Sequence, residues 1–378
     1  MKKTILLMAA TALISLGAQA QNYKMVITKA DGTKVEFSTT EIDNITYVEA
    51  AEPILPDQNA DQVVIKEIYN GGCPSDDGKT FQYDKCIILY NNCGQQAVLN
   101  NLCIGTVQPA NGHSKNENYD ESGKLVYEAE GIIPCWHGIW WFQGSLVIEP
   151  YSQIVVNICG AIDNTQTVSQ SVNYANPAYY AMYDPESGYA NTKYYPTPSA
   201  EIPTSHYLKA KEIGMGNGWT YSVSSPATVI FQTQGMDAQA FADDADRLWY
   251  PGGEVSQVNA CFAVPATWVI DGVEIFSSAN KDNSVKRLTA DIDGGYVYLT
   301  NYLGHSLYRN VDKAATEALS ENAGKLVYNY ALGVDDSTDP SGIDAEASMK
   351  NGAHIIFQDN NNSSEDFHER QKCSLRGE

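Results

Sequence analysis

With 378 residues and a mass of 41.4 kDa, the chain has room for one large domain or two ordinary ones. Asp and Glu number 46 against 24 Lys and Arg, giving a formal net charge of −22. A surface this acidic has no electrostatic footprint for a phosphate backbone and is repelled by anionic lipid, which argues against nucleic acid as a partner.

Residues 1–20, MKKTILLMAATALISLGAQA, have the three parts of a secretory signal peptide. Lys2 and Lys3 form a basic start, residues 5–16 an apolar stretch, and Ala18-Gln19-Ala20 a small-x-small cleavage site. The apolar stretch is well short of the roughly 20 residues a membrane span needs. The sequence therefore predicts an exported protein without a membrane span, held in the periplasm, at the outer-membrane surface or outside the cell. All eight cysteines fall in the mature part. In an exported chain they permit disulfides, with Cys73, Cys86, Cys93, Cys103 and Cys135 the candidates, and spacing does not choose among the pairings.

After the leader, residues 23–49 alternate apolar and polar, with Met25/Ile27, Val35/Phe37 and Ile45/Tyr47 on the apolar beat. Asp31-Gly32 between the first two runs predicts a β-hairpin, a small module over 21–50. Residues 51–61, AEPILPDQNAD, read as a Pro-containing acidic linker. Strands are then predicted at 63–68, 85–90, 97–104, 125–129, 146–148 and 153–158, a spacing that suggests an all-β sandwich. Residues 165–260 are Tyr-, Pro- and Asn-rich with little periodicity and read as a long insertion, holding strands at 219–223 and 227–232 and a short helix within 236–249. Strand patterning resumes at 261 with CFAVPATWVIDGVEIF and then GGYVYLTNYL. A helical turn or two is expected at 314–319, polar loop at 335–352, a last strand at 355–357, and a flexible tail over 371–378.

The order of these motifs resembles a known domain type. VVIKEIYNGG, YDKCIILYNNCGQQAVLNNLCIG and LVIEPYSQIVVN are similar to the opening strand, hairpin and later strand of the lamin-tail type of immunoglobulin-like domain. WVIDGVEIF, GHSLYR and FQDNNNSSEDF look like its later elements. More closely, the whole order resembles a family of exported proteins of unknown function from Gram-negative gut anaerobes, and the hairpin module resembles a leader common on such proteins. Two departures stand out: Ile88 replaces an expected Glu, and Pro150-Tyr151 lacks the glycine of a Pro-Gly turn. The resemblance implies an immunoglobulin-like, lamin-tail-like β-sandwich over 62–370, an extracytoplasmic role and no catalytic residues.

Aromatic density marks the sites. The stretch 134–142 carries Trp136, Trp140 and Trp141, and residues 174–195 hold seven tyrosines, among them Tyr179, Tyr180 and Tyr183. Each ring offers large contact area at low entropic cost, so these six residues are the ligand-binding candidates, against the alternative that they fill the core. No metal or cofactor is expected: there is no H-E-x-x-H, no C-x-x-C and no EF-hand spacing. Acidic clusters at Asp243-Asp244-Asp246, Asp291-Asp293 and Asp335-Asp336-Asp339 read as solvated loops. There is no G-x-S-x-G elbow either, so no catalytic residue is named. The reading is an exported, non-catalytic binding protein for a glycan, polar ligand or surface protein, set beside a partner such as an outer-membrane transporter. A secreted hydrolase on an insertion-laden sandwich is the alternative.

Overall fold

Alternating and continuous apolar runs become strands in the structure, a computed structural model that describes residues 23–28, 32–44, 54–214, 216–219 and 221–376. The leader, Asp31, Ile45 and Tyr47 lie outside the described residues. The chain divides into two units, Met1–Ala51 and Glu52–Glu378.

In the first unit, β1 (Lys24–Thr28) pairs antiparallel with β2 (Lys34–Ser38), Met25 opposite Phe37 and Ile27 opposite Val35. The period of two puts these four apolar side chains on one face and Lys24, Lys34 and Glu36 on the other.

The second unit runs through β3 (Val63–Tyr69), β4 (Cys86–Asn91), β5 (Leu102–Thr106), β6 (Ile132–Trp136), β7 (Gly138–Trp141) and β8 (Gln153–Asn157). It continues through β9 (Tyr180–Ala181), β10 (Lys209–Glu212), β11 (Ala227–Gln232), β12 (Leu248–Trp249), β13 (Cys261–Pro265) and β14 (Val269–Ser277). The last strands are β15 (Val297–Leu299), β16 (Ser306–Arg309) and β17 (Phe367–Arg370). Short helices decorate them, among the described residues α1 (Ala238–Asp243), α2 (Lys313–Ala318), α3 (Ala345–Lys350) and α4 (Ser363–Asp366). Each is capped by an Asp or Asn side chain that accepts a backbone N–H of the first turn.

Two six-stranded sheets form the body, in the orders β9-β8-β4-β3-β16-β17 and β10-β7-β5-β11-β14-β15. Their facing sides share one interior, in which Ile65, Leu89 and Val156 of the first meet Ile104, Ile230, Val273 and Ile275 of the second. The protein is an all-β sandwich. A third sheet, β12-β13-β6, covers the outer face of the second, and Val229, Phe231 and Trp141 pack there against Cys135, Phe262 and Phe241. Because β3 is covered on both sides, all seven of its residues are buried, including Lys66 and Glu67. Lys66 is held by Glu346 and Gln153, and Glu67 by Ser306 and Ser374.

Several expectations change at this level. The strand expected at 227–232, within the stretch read as an insertion, belongs to the sandwich itself: as β11 it sits in the middle of the second sheet between β5 and β14. The strand expected at 97–104 breaks at Asn101, whose left-handed φ of 55° turns the chain so that Ala97–Asn100 pairs with Ser145–Ile148 while β5 enters the second sheet. The acidic segment after Leu55 is laced to the sandwich rather than free, since Asp57 accepts the Asn100 N–H at 2.7 Å. Residues 125–129 and 335–352 hold a 3-10 turn and α3 rather than strand and loop, and 355–357 makes only an isolated bridge. The tail is pinned as far as Arg376: Cys373 is buried, Ser374 bonds Glu67, and Arg376 reaches Gly304 and Gln170.

Candidate functional site

One side of the sandwich is open where the edge strands β15 and β17 of the two sheets approach. A cleft of about 650 Å³ lies there, lined by Lys281, Tyr296, Tyr298, Asp335, Asp336 and Glu369 among others. Tyr296 is the rigid element. Its ring stacks on Phe276, with centroids 4.4 Å apart and planes 20° from parallel, and meets Tyr298 edge-on at 5.4 Å. Its backbone is clamped by Ser364 of α4, whose hydroxyl accepts the Tyr296 N–H at 3.0 Å and donates to the Tyr296 carbonyl at 2.8 Å. Gly295 makes this approach feasible, because a Cβ there would collide with Asn362 and Ser364. Tyr296 remains 37% exposed, so a supported aromatic ring faces solvent at the cleft.

Charge surrounds the rings. The Lys281 ammonium stands over Tyr298, 4.6 Å from its centroid. Burial, the Tyr296 hydroxyl and Asp282 raise the Tyr298 phenol above its ordinary value. Glu369 accepts from the Thr300 N–H at 2.8 Å, the Thr300 hydroxyl at 3.2 Å and His305 Nδ1 at 2.7 Å. Asp335 and Asp336 sit at the tip of a turn closed by the Ser337 N–H donating to the Val334 carbonyl at 2.8 Å. That turn is tied to β17 by the Glu369 N–H donating to the Ser337 hydroxyl at 2.7 Å. Both aspartates are exposed and have no hydrogen bond or ion pair among the described residues.

The residues singled out by aromatic density lie elsewhere. Trp140 is fully buried, stacked on Tyr189 at 5.3 Å and flanked by Tyr195 and Trp219. Its neighbour Trp141 points to the opposite face of β7 and is also buried, against the third sheet. Neither is a surface for stacking a ligand, because their strand has layers on both sides. Trp136 is half-buried and lies against His137, whose left-handed φ of 61° ends β6. In the tyrosine stretch, Tyr174, Tyr189 and Tyr195 are core. Tyr179, Tyr180 and Tyr183 are half-buried, with Tyr180 stacked on His206 at 4.2 Å and Tyr183 edge-on to Tyr207. Their surroundings are thus largely filled by neighbouring rings.

All eight cysteines are free thiols, so none of Cys73, Cys86, Cys93, Cys103 and Cys135 is bridged in the structure. Burial pushes the Cys73 thiol up to about 12, far from a reactive thiolate. The acidic clusters are not uniformly solvated: Asp293 and Asp339 are buried and bind backbone N–H groups of Ser363 and Val311. Among the described residues no three His, Cys, Asp or Glu side chains are placed to hold a metal, and no helix is long and apolar enough to cross a membrane.

The class these features define is a β-sandwich with an open, aromatic and acidic cleft at one edge. Residues 149–330 match the model of a family described as a protein of unknown function, DUF4876. Among solved structures, the chain is similar to the crystal structure of a DUF4876 family protein from Bacteroides thetaiotaomicron VPI-5482, with a TM-score of 0.57. The identity is 16%, over 91% of this chain and 80% of that one, which supports a shared fold. No curated protein matches.

Proposed function

We propose that this is an exported, non-catalytic binding protein that holds a polar ligand, with a glycan as the favoured kind, in the cleft between β15 and β17. The observation that carries the reading is Tyr296: an exposed ring backed by Phe276, clamped by Ser364 and bordered by carboxylates and hydroxyls. A sugar ring presents one apolar face and a rim of hydroxyls. It would stack on a pre-positioned aromatic ring while its hydroxyls donate to carboxylates. Against a hydrolytic reading stands the state of Glu369, the most enclosed carboxylate of the cleft, whose oxygens already accept three hydrogen bonds. The acidic, exported chain suits an accessory role at the cell envelope, beside a transporter or another surface component, as its family resemblance also suggests.

The test is a glycan array probed with the full chain and with Tyr296→Ala. The reading expects a set of glycans bound by the natural sequence and weakened about tenfold or more by the substitution. Binding that survives Tyr296→Ala unchanged would place recognition elsewhere.

A further inference from the structure

We propose that the ligand of this cleft carries a protonated primary amine on a hydroxyl-bearing ring, as an amino sugar does. The inference rests on the cleft being the recognition site and names the chemical class that it takes.

The balance of charge along the lining is the first argument. Three carboxylates, Asp335, Asp336 and Glu369, and one ammonium, Lys281, line the cleft. Glu369 is satisfied by Thr300 and His305, whereas Asp335 and Asp336 are adjacent, exposed and unpartnered among the described residues. Two neighbouring unpaired carboxylates repel a uronic acid or a sulfated sugar, and a neutral sugar leaves their charge unanswered. An ammonium on the ligand answers it.

Lys281 supplies the second argument. It reaches neither aspartate, and instead its Nζ stands 4.6 Å from the centroid of Tyr298. The chain's own ammonium thus occupies a position that a cation prefers, over an aromatic face within an acidic cleft. Lys281 is exposed, and it sits on the 3-10 segment Ser278–Asn283, so it leaves that face at little cost. An amine on the ligand would compete with it for that face, and elsewhere in the same cleft Asp335 and Asp336 offer an ammonium two free carboxylates. The flat face of Tyr296 and the hydroxyl and amide groups of Ser278, Thr300 and Asn362 suit the rest of a sugar ring better than a lone alkyl chain.

The experiment is titration calorimetry of the full chain, at fixed ionic strength, with a β-1,4-linked glucosamine trimer, its N-acetylated counterpart and a uronic acid trimer. The expected result is an affinity for the free amine about tenfold above that for the acetylated trimer, and none for the uronic acid. Asp335→Asn with Asp336→Asn should reduce the amine trimer to the acetylated level. That change barely alters the net charge of −22, so the loss would report local contact rather than general attraction of a cation. Lys281→Ala should tighten the amine trimer about threefold by removing the competitor. Equal or tighter binding of the acetylated trimer would overturn the inference. So would weakening by Lys281→Ala, or tighter binding of a lysine-bearing peptide than of the sugar. If neutral glycans bind at least as tightly as the amine trimer and in a Tyr296-dependent way, the cleft reading stands and the amine falls. If no sugar binds and Tyr296→Ala is silent, both fall.

Discussion

Two aromatic groups in this molecule invite contrast. Around Trp140, the rings of Tyr189, Tyr195 and Trp219 close on one another in the interior, with Trp140 wholly buried. At the sandwich edge, Tyr296 and Tyr298 are only two rings, yet one is supported from behind and open in front. The first group is larger and denser along the chain, and it serves cohesion. The second is sparse, and it is the one a ligand can reach. What separates them is the cover on the strand, not the residue type: β7 lies between layers, whereas β15 is an edge strand.

The contrast gives outcomes of graded size. Trp140→Ala should cost about 3–5 kcal/mol in chemical denaturation, as for other large buried aromatics, while leaving ligand affinity of the folded fraction unchanged. A loss below 1 kcal/mol would mean that the Trp140 group is not core. Gly295→Ala should cost on the order of 2 kcal/mol, because the new Cβ meets Asn362 and Ser364 and forces the clamp on Tyr296 apart. The same substitution should weaken ligand binding, which Trp140→Ala should not.

A third outcome concerns pH. Burial, and then the Arg370 charge, hold His368 at about 3, with Tyr330 and Asn310 bonded to its ring nitrogens at 2.6 and 2.7 Å. The unfolded chain takes up a proton on this residue near its ordinary value of about 6.5, and the folded one does not until far lower pH. Stability from this group is therefore complete above about pH 7 and is lost as the pH falls toward 3. At pH 5 the loss is about 2 kcal/mol. His368→Gln should flatten the pH dependence of unfolding between 7 and 5 relative to the natural sequence, and parallel profiles would refute the assignment. The smallest stability effect belongs to Tyr296→Ala, which should cost under about 1 kcal/mol because its ring is already partly in water.

Much of the fold is legible in the chain. The strands at 63–68, 85–90 and 153–158 appear within a residue or two as β3, β4 and β8, since uninterrupted Val, Ile and Leu have few other uses. The helical turns near 314–319 and within 236–249 are there too, and in the structure Asp312 and Asp237 cap them. The turn that lacks its glycine is built all the same, with Tyr151 held at a left-handed φ of 49° and stacked on His354 at 4.6 Å. Less legible was the place of β11, because a run such as Ala227–Gln232 carries no mark of which sheet it joins. The cleft was least legible of all. Its parts come from residues 278–300, 334–337 and 362–369, and local patterning cannot show that edge strands from two sheets meet. The only trace is the alternation in GGYVYL, which puts Tyr296 and Tyr298 on one side of a short strand after two glycines.

The most direct measurement compares Tyr296→Ala with Tyr180→Ala in one binding assay against the best glycan from the array. Recognition at the sandwich edge requires a drop of about tenfold or more for Tyr296→Ala and little change for Tyr180→Ala. The reverse order, with Tyr180→Ala abolishing binding and Tyr296→Ala harmless, would contradict it.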